Sequence, residues 1–354
     1  MYFDSAATTP LDPRVCDEMR AVMDMFGNEN SKHHYGFEAR KKMDQYLKKI
    51  AKILAVSSDQ IFPVYSATDA NRRSVQWAQK NFGIDRVFCS HTEHSSIADE
   101  INPQHCFDPT DHGIGELALK NPGFIALAHA NSETGHVYSV EKYRKNFPSA
   151  IILRDYVQSF AKGVKPDFEN ADIGTFAPHK FHGPKMVGLV YLKNPEAFPE
   201  FSNDTHTKNL FLVAGMAKAF EIHTEEYEKN RQKMVDWSVQ ISEFIEENIA
   251  DYRLHSHYNG EHLPGLINVA FRGIRGGELM MALSEKEGIA VSTGSACTSD
   301  ILSPTRIIQF LESDPVWQYP IRIGLHKFLT DQNIADFCEI LAHYVGEMRS
   351  KRGS

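Results

Sequence analysis

The sequence predicts an α/β fold with a sheet covered on both faces, and three observations point to it. Short apolar runs alternate with amphipathic stretches along the chain, as they do when strands and helices take turns. The apolar runs VFCS (87–90), FIALAH (124–129), IILRD (151–155) and VGLVYL (187–192) are β-branched and nearly uninterrupted, which suits strands buried from both sides. The length of 354 residues suggests about two domains.

The elements follow in order. Residues 37–55 (FEARKKMDQYLKKIAKILA) have helical spacing with a basic outer face. IFPVY (61–65) reads as a strand that breaks into SATDAN (66–71) and then a helix. The four strand runs above come next. Residues 207–248 are long, charged and helical and link a large domain to a smaller one. LINVAF (266–271) and IAVST (289–293) read as strands, and a helix is expected near 331–349. The predicted division is a large domain over 12–250 and a small α+β domain formed by 1–11 and 251–354.

Composition narrows the function classes. Hydrophobic residues make up 42% and charged residues 24%, which excludes a disordered chain. A net charge of −8 argues against a broad nucleic-acid-binding surface. MYFDSAATTP carries neither the basic nor the apolar segment of a secretory leader, and no apolar run reaches the ~18–20 residues of a membrane span. The five cysteines (Cys16, Cys89, Cys106, Cys297 and Cys338) show no CxxC and no regular spacing. They form neither a disulfide framework nor a zinc motif, and a reducing, cytoplasmic setting is expected. His91/His94 and His33/His34 lack a third metal ligand nearby.

Four groups of residues carry candidate chemistry. Asp155 ends the strand IILRD, and His179-Lys180 lies downstream before a His-Gly-Pro turn. A carboxylate at a strand's C-terminal end sits where α/β folds bind ligands. A lysine held in a cleft loses its proton more readily and can form a Schiff base. That pair meets the needs of pyridoxal 5′-phosphate (PLP): an amine for the aldehyde and a carboxylate for the ring nitrogen. Ser66-Ala67-Thr68 opens a helix after a strand, which makes either a phosphate cup or a simple N-cap. Cys297 lies among small polar residues in STGSACTS (292–299), as an accessible nucleophile would. His94 and Asn131 each follow a strand, and Arg322 can clamp a carboxylate.

Taken together these motifs resemble the cysteine desulfurases of the NifS/IscS-like group, within the class V aminotransferases of PLP fold type I. The resemblance runs from YFDSAATTPLDPRV (2–15) through SATDAN, HTEHSSI, HANSETG (129–135), DYVQSFAK (155–162), HKFHGPKMVG (179–188) and STGSACTS to IRIGLHKFLT (321–330). It implies a mostly parallel seven-stranded sheet in the large domain. It also implies that Lys180 forms the Schiff base with PLP, Asp155 pairs with the ring nitrogen and Gln158 touches the phenolic oxygen. By the same resemblance, His94 stacks on the ring and assists proton transfer. Ala67, Thr68 and His179 hold the phosphate, with Thr207 reaching the phosphate of a partner subunit in a homodimer. Asn131 and Arg322 fix the carboxylate of L-cysteine. Cys297 takes the sulfur as a persulfide and passes it to an acceptor protein, in iron–sulfur assembly, tRNA thiolation or DNA phosphorothioation. No direct contact with nucleic acid or membrane is implied.

Three departures mark a divergent member. Ala177 stands where the family carries a serine, with Thr175 the nearest hydroxyl that would compensate. FPEFSNDTHTKN (198–209) is shorter than the family's segment and lacks glycine. Arg322-Ile323-Gly324 replaces an Arg-Phe-Ser run. The competing expectations are another PLP enzyme of this fold (a selenocysteine lyase, aminotransferase or β-lyase) or a non-catalytic scaffold.

Overall fold

A computed structural model describes residues 1–109, 119–204, 206–256, 258–294 and 302–352. Ten strands are present among them: β1 Ile61–Val64, β2 Val87–Ser90, β3 Cys106–Phe107, β4 Phe124–Ala126, β5 Ile151–Asp155, β6 Ile173–Phe176, β7 Gly188–Leu192, β8 Tyr252–Ser256, β9 Leu266–Phe271 and β10 Ile321–Gly324. The first seven form one sheet in the order β1-β7-β6-β5-β4-β2-β3. The pairings among β3, β2, β4, β5 and β6 are parallel, and β7 is antiparallel to both β6 and β1. This is the mostly parallel seven-stranded α/β architecture expected from the sequence. The residues of β2, β4, β6 and β7 are all buried, because helices cover both faces. Pro63, which has no N–H to give, lies in β1, a strand with one neighbour at the sheet edge.

In chain order, α1 (Pro13–Arg20) and α2 (His34–Leu54) precede β1, α3 (Ala67–Phe82) joins β1 to β2, and α4 (Ser95–Ala98) follows β2. α1 starts on Asp12, whose carboxylate accepts from the Arg14 N–H, with Pro13 in the first turn. α3 starts on Ser66, whose side chain accepts from the Asp69 N–H. The stretch read as one helix over 207–248 is two, Leu210–Glu225 and Tyr227–Asn248, meeting at Glu226. Strands β10-β9-β8 form a second, antiparallel sheet. It is backed by the helices Gly276–Glu287 and Asp331–Arg352 over a core that includes Ile267, Val269, Ile323, Phe337 and Leu341. IAVST does not form a strand. Only Ala290 and Ser292 make isolated bridges, to Tyr2 and Arg322. No helix among the described residues is long and apolar enough to cross a membrane.

Four free thiols are described: Cys89 and Cys338 are buried, Cys16 and Cys106 half-buried. Cys89 and Cys106 stand opposite each other on β2 and β3, with sulfurs 3.4 Å apart.

Candidate active site

The C-terminal ends of the central strands and the N-terminus of α3 enclose a cleft of about 350 Å³, a size suited to a small ligand. Asp155, the last residue of β5, is 9% exposed and lines it. Its two carboxylate oxygens accept from the Val157 N–H at 2.9 Å and from the Asn71 side chain at 2.8 Å. Ala67 and Thr68 line the cleft in the first turn of α3, where N–H groups unspent on the helix face a bound anion. Gly188 backs this turn. A Cβ there would lie 2.7 Å from the Ser66 carbonyl carbon and 2.8 Å from the Ala67 nitrogen, so only glycine lets the strand approach.

Lys180 closes the short 3₁₀ turn Pro178–Lys180 and lines the cleft. Its Nζ donates to the carbonyl oxygens of Ala6 and Ala7 at 2.6 and 2.7 Å. His179 is beside it, with Nδ1 3.1 Å from the Thr8 hydroxyl. Burial, and then the nearby Lys180 and Lys185 charges, push the His179 imidazole down to about 3, so it is neutral at physiological pH. Gln158 donates through Nε2 to the Ala6 carbonyl, and its buried Oε1 has no partner among the described residues. Arg322 is 2% exposed. It donates to the Ser132 carbonyl at 2.9 Å and to the Asp4 carboxylate at 3.0 Å, while its buried Nε has no described partner. His94 lines the cleft and is held below the usual histidine range, chiefly by burial, with Asp155 opposing.

A feature that sequence reasoning missed is the strap formed by residues 4–9. Asp4 meets Arg322, the Ser5 hydroxyl accepts from Lys162, and the Ala6 and Ala7 carbonyls take Gln158 and Lys180. Thr8 and Thr9 reach His179. The motif DSAATTP marked these residues without saying what they touch.

Two other predicted site residues, Asn131 and Thr207, are not among those that line the cleft. Asn131 is fully buried and does not line the cleft. Its amide donates to the Thr92 carbonyl and accepts from the N–H groups of Glu133 and Thr134. Its neighbours Ala130 and Ser132 do line it. Thr207 is exposed, away from the cleft, and accepts from Asn28 at 3.0 Å. The segment carrying Thr207 is tied to α3 by the Asp204–Arg73 pair at 3.3 Å. Cys297 lies outside the described residues. Thr175 does not compensate for Ala177: it is fully buried and its hydroxyl is spent on Asn71.

Residues 1–337 match the family described as aminotransferase class-V. The chain belongs to the aminotransferase class-V family. Among curated relatives, a protein named cysteine desulfurase IscS from Dictyoglomus turgidum is 27% identical over 99% of this chain and 95% of its own length. Another of that name from Anaeromyxobacter dehalogenans is 28% identical over 99% and 93%. In three dimensions, a NifS-like protein from Rickettsia africae superposes with a TM-score of 0.82 at 22% identity, covering 98% of this chain and 99% of its own. A protein titled SspA in complex with cysteine superposes with a TM-score of 0.72 at 21% identity, covering 92% and 98%. These two likenesses concern the fold.

The cofactor of this class V chain is PLP, and the cleft fits it. One pocket holds an amine, a carboxylate at a strand end, a helix N-terminus that a Cβ at Gly188 would obstruct, and a buried amide oxygen without a partner.

Proposed function

We propose that this chain is a PLP-dependent cysteine desulfurase that converts L-cysteine to L-alanine and leaves the sulfur as a persulfide on Cys297. One observation carries the reading: the Lys180 amine, the Asp155 carboxylate, the start of α3 and the Arg322 guanidinium all open into a single cleft. The names of the curated relatives support it.

When bound, PLP supplies an electron sink that weakens bonds at the amino acid's α and β carbons. Lys180 would hold it covalently, Asp155 and Gln158 would face its ring, and the first turn of α3 with His179 would hold its phosphate. Arg322, already oriented by Asp4 and Ser132, would receive the substrate carboxylate bidentately. The Lys180 amine, once freed by the incoming substrate, moves the α proton. The Cys297 thiolate attacks the substrate sulfur. An S–S bond forms, the substrate's Cβ–S bond breaks, and the carbon keeps the electron pair and is protonated to give alanine.

We read the large domain as 12–250 and the small domain as 1–11 with 251–354. The bridges from Tyr2 and Asp4 to Ala290 and Gly324 support this assignment. We also infer a homodimer and a separate sulfur-acceptor protein. The exposed ring pair Phe26–Tyr35, 4.9 Å apart near the Asn28–Thr207 hydrogen bond, supports a partner subunit at that edge.

The test is incubation of the PLP-loaded protein with L-cysteine. Alanine should appear in solution, and the peptide holding Cys297 should gain the mass of one sulfur atom. Cys297→Ala should keep the Schiff-base absorbance and lose the persulfide. Alanine formation without sulfur on Cys297 would favour another PLP lyase, and failure to bind PLP would favour a scaffold.

A further inference from the structure

Asn71 lies on the buried face of α3, 1% exposed, among Ala67, Ala70, Ser74 and Val75. A polar amide on such a stripe must find partners for every donor and acceptor. Its side-chain nitrogen lies 2.8 Å from the Asp155 carboxylate and 3.0 Å from the Ser96 hydroxyl, and its oxygen accepts from the Thr175 hydroxyl at 2.9 Å. The Ser96 hydroxyl in turn lies 2.9 Å from His94 Nδ1, and the Ser96 backbone N–H donates to the same nitrogen at 3.1 Å. One amide therefore joins Asp155 and His94, the two titratable groups that the family resemblance sets against the cofactor ring.

The direction of each bond follows from the chemistry of the groups. An ionised carboxylate only accepts, so the Asn71 amide must turn its NH₂ to Asp155. The second N–H of that NH₂ then points at Ser96 Oγ, which accepts. The single Ser96 hydroxyl proton is left to point at His94 Nδ1. With a hydroxyl and a backbone N–H both aimed at it, Nδ1 keeps its lone pair, and the neutral ring carries its proton on Nε2. Thr175 completes the arrangement, because its hydroxyl can only donate to the amide oxygen.

We propose that Asn71 is a positioning residue that places protons for two groups at once, holding Asp155 as an acceptor and, through Ser96, fixing His94 as the Nε2–H tautomer. His94 then enters the reaction as a hydrogen-bond donor from Nε2. The α-proton base is left to another group, for which Lys180 is the amine in the same cleft. This rests on the cofactor site proposed above, but the proton placement belongs to the protein alone and is present before cofactor or cysteine arrives.

The experiment is nitrogen NMR of the full chain, free of cofactor, with ¹⁵N-labelled histidine. The His94 resonances are assigned by their loss in His94→Gln. The expected wild-type result is one tautomer, with Nδ1 bare and Nε2 protonated. Asn71→Asp replaces both amide donors by acceptors, so the Ser96 hydroxyl turns to the new carboxylate and a measurable share of the Nδ1–H form appears. Ser96→Ala removes the hydroxyl and leaves the backbone N–H aimed at Nδ1, so it should give a smaller but measurable share of the Nδ1–H form. The second readout is PLP affinity by fluorescence titration. A second carboxylate beside Asp155 repels its charge and weakens its hold on the ring nitrogen, so Asn71→Asp should bind PLP about tenfold more weakly. Ser96→Ala should bind it nearly as the wild type does. A wild-type His94 protonated at Nδ1 overturns the proposal with no variant needed. So does a folded Ser96→Ala with an unchanged tautomer, or a folded Asn71→Asp with unchanged PLP affinity. A protein that made no alanine from cysteine but showed the expected tautomers would refute the desulfurase reading and leave this inference standing.

Discussion

Replacing Gly188 by alanine tests the phosphate cup without altering any polar group. Gly188 lies in β7 with an ordinary negative φ, so the substitution carries no backbone penalty, and its effect is steric. The added Cβ would sit 2.7 Å from the Ser66 carbonyl carbon and 2.8 Å from the Ala67 nitrogen, both backbone atoms. Comfortable contact between carbons begins at ~3.5 Å, so the start of α3 must retreat by about 0.8 Å from the Ser66 carbon. Such overpacking costs about 1–3 kcal/mol. The same retreat stretches an N–H···O contact from ~2.9 Å to ~3.7 Å, beyond hydrogen-bond range. A hydrogen bond to a charged group contributes about 1.5–3 kcal/mol, so losing two should weaken PLP binding by a factor of at least ~100. The assay is fluorescence titration of the cofactor-free protein with PLP, beside thermal unfolding. Gly346, in the C-terminal helix with nothing within 4 Å of an added Cβ, is the control, and Gly346→Ala should bind PLP as the wild type does. A Gly188→Ala protein that melts earlier yet binds PLP with unchanged affinity would refute the cup.

Two further predictions concern buried charges. Glu93 is fully buried, accepts from the Ala128 N–H at 2.7 Å and the Ser90 hydroxyl at 3.1 Å, and is pushed up to about 7 by burial. A raised carboxyl favours folding below its unfolded value near 4.5 and loses that contribution as pH climbs through about 7. Glu93→Gln should therefore be more stable than wild type by about 1–2 kcal/mol at pH 8 and equal to it at acid pH. Urea midpoints at the two pH values decide, and an equal loss at both would refute it. Lys162 donates to the Ser5 hydroxyl at 2.7 Å and the Leu325 carbonyl at 2.5 Å, and burial lowers it to about 7. Between that value and the 10.5 of a free lysine the unfolded chain holds the extra proton, so stability rises with pH and is lost as pH falls toward 7. Lys162→Met should remove a slope approaching ~1.4 kcal/mol per pH unit in that window. Parallel slopes for variant and wild type would show that Lys162 does not titrate there.

The legible parts of the fold were those whose residues bury on both sides. β2, β4, β5, β7 and β9 stand where continuous apolar runs placed them. β6 was missed because Gly174 interrupts its pattern. An added Cβ there would lie 2.7 Å from the Tyr156 ring, so packing chose a residue that strand propensity disfavours. β10 was missed because Arg322 sits at its centre, a charge in a buried strand that makes sense only once Asp4 and the Ser132 carbonyl are seen beside it. In the site, Asp155, Lys180 and the start of α3 follow from strand and helix ends, a local signal. Asn71 left a fainter one, a lone amide on an apolar helical stripe, with no hint of its partners at 96, 155 and 175. The strap at 4–9 was marked by its motif alone, with no hint of its role, because that role depends on contacts more than a hundred residues away.

That strap sets an order of events during synthesis. Asp4 and Ser5 precede Arg322 and Leu325 by 318 and 320 residues, yet the first meets the Arg322 guanidinium and the second donates to the Leu325 carbonyl. Gln158 and His179 can hold Ala6, Thr8 and Thr9 before that, but the anchors at Asp4 and Ser5 must wait for the chain around Arg322. A growing chain can thus complete the seven-stranded sheet, whose last strand ends at Leu192, before β10 arrives to anchor the first two residues of the strap.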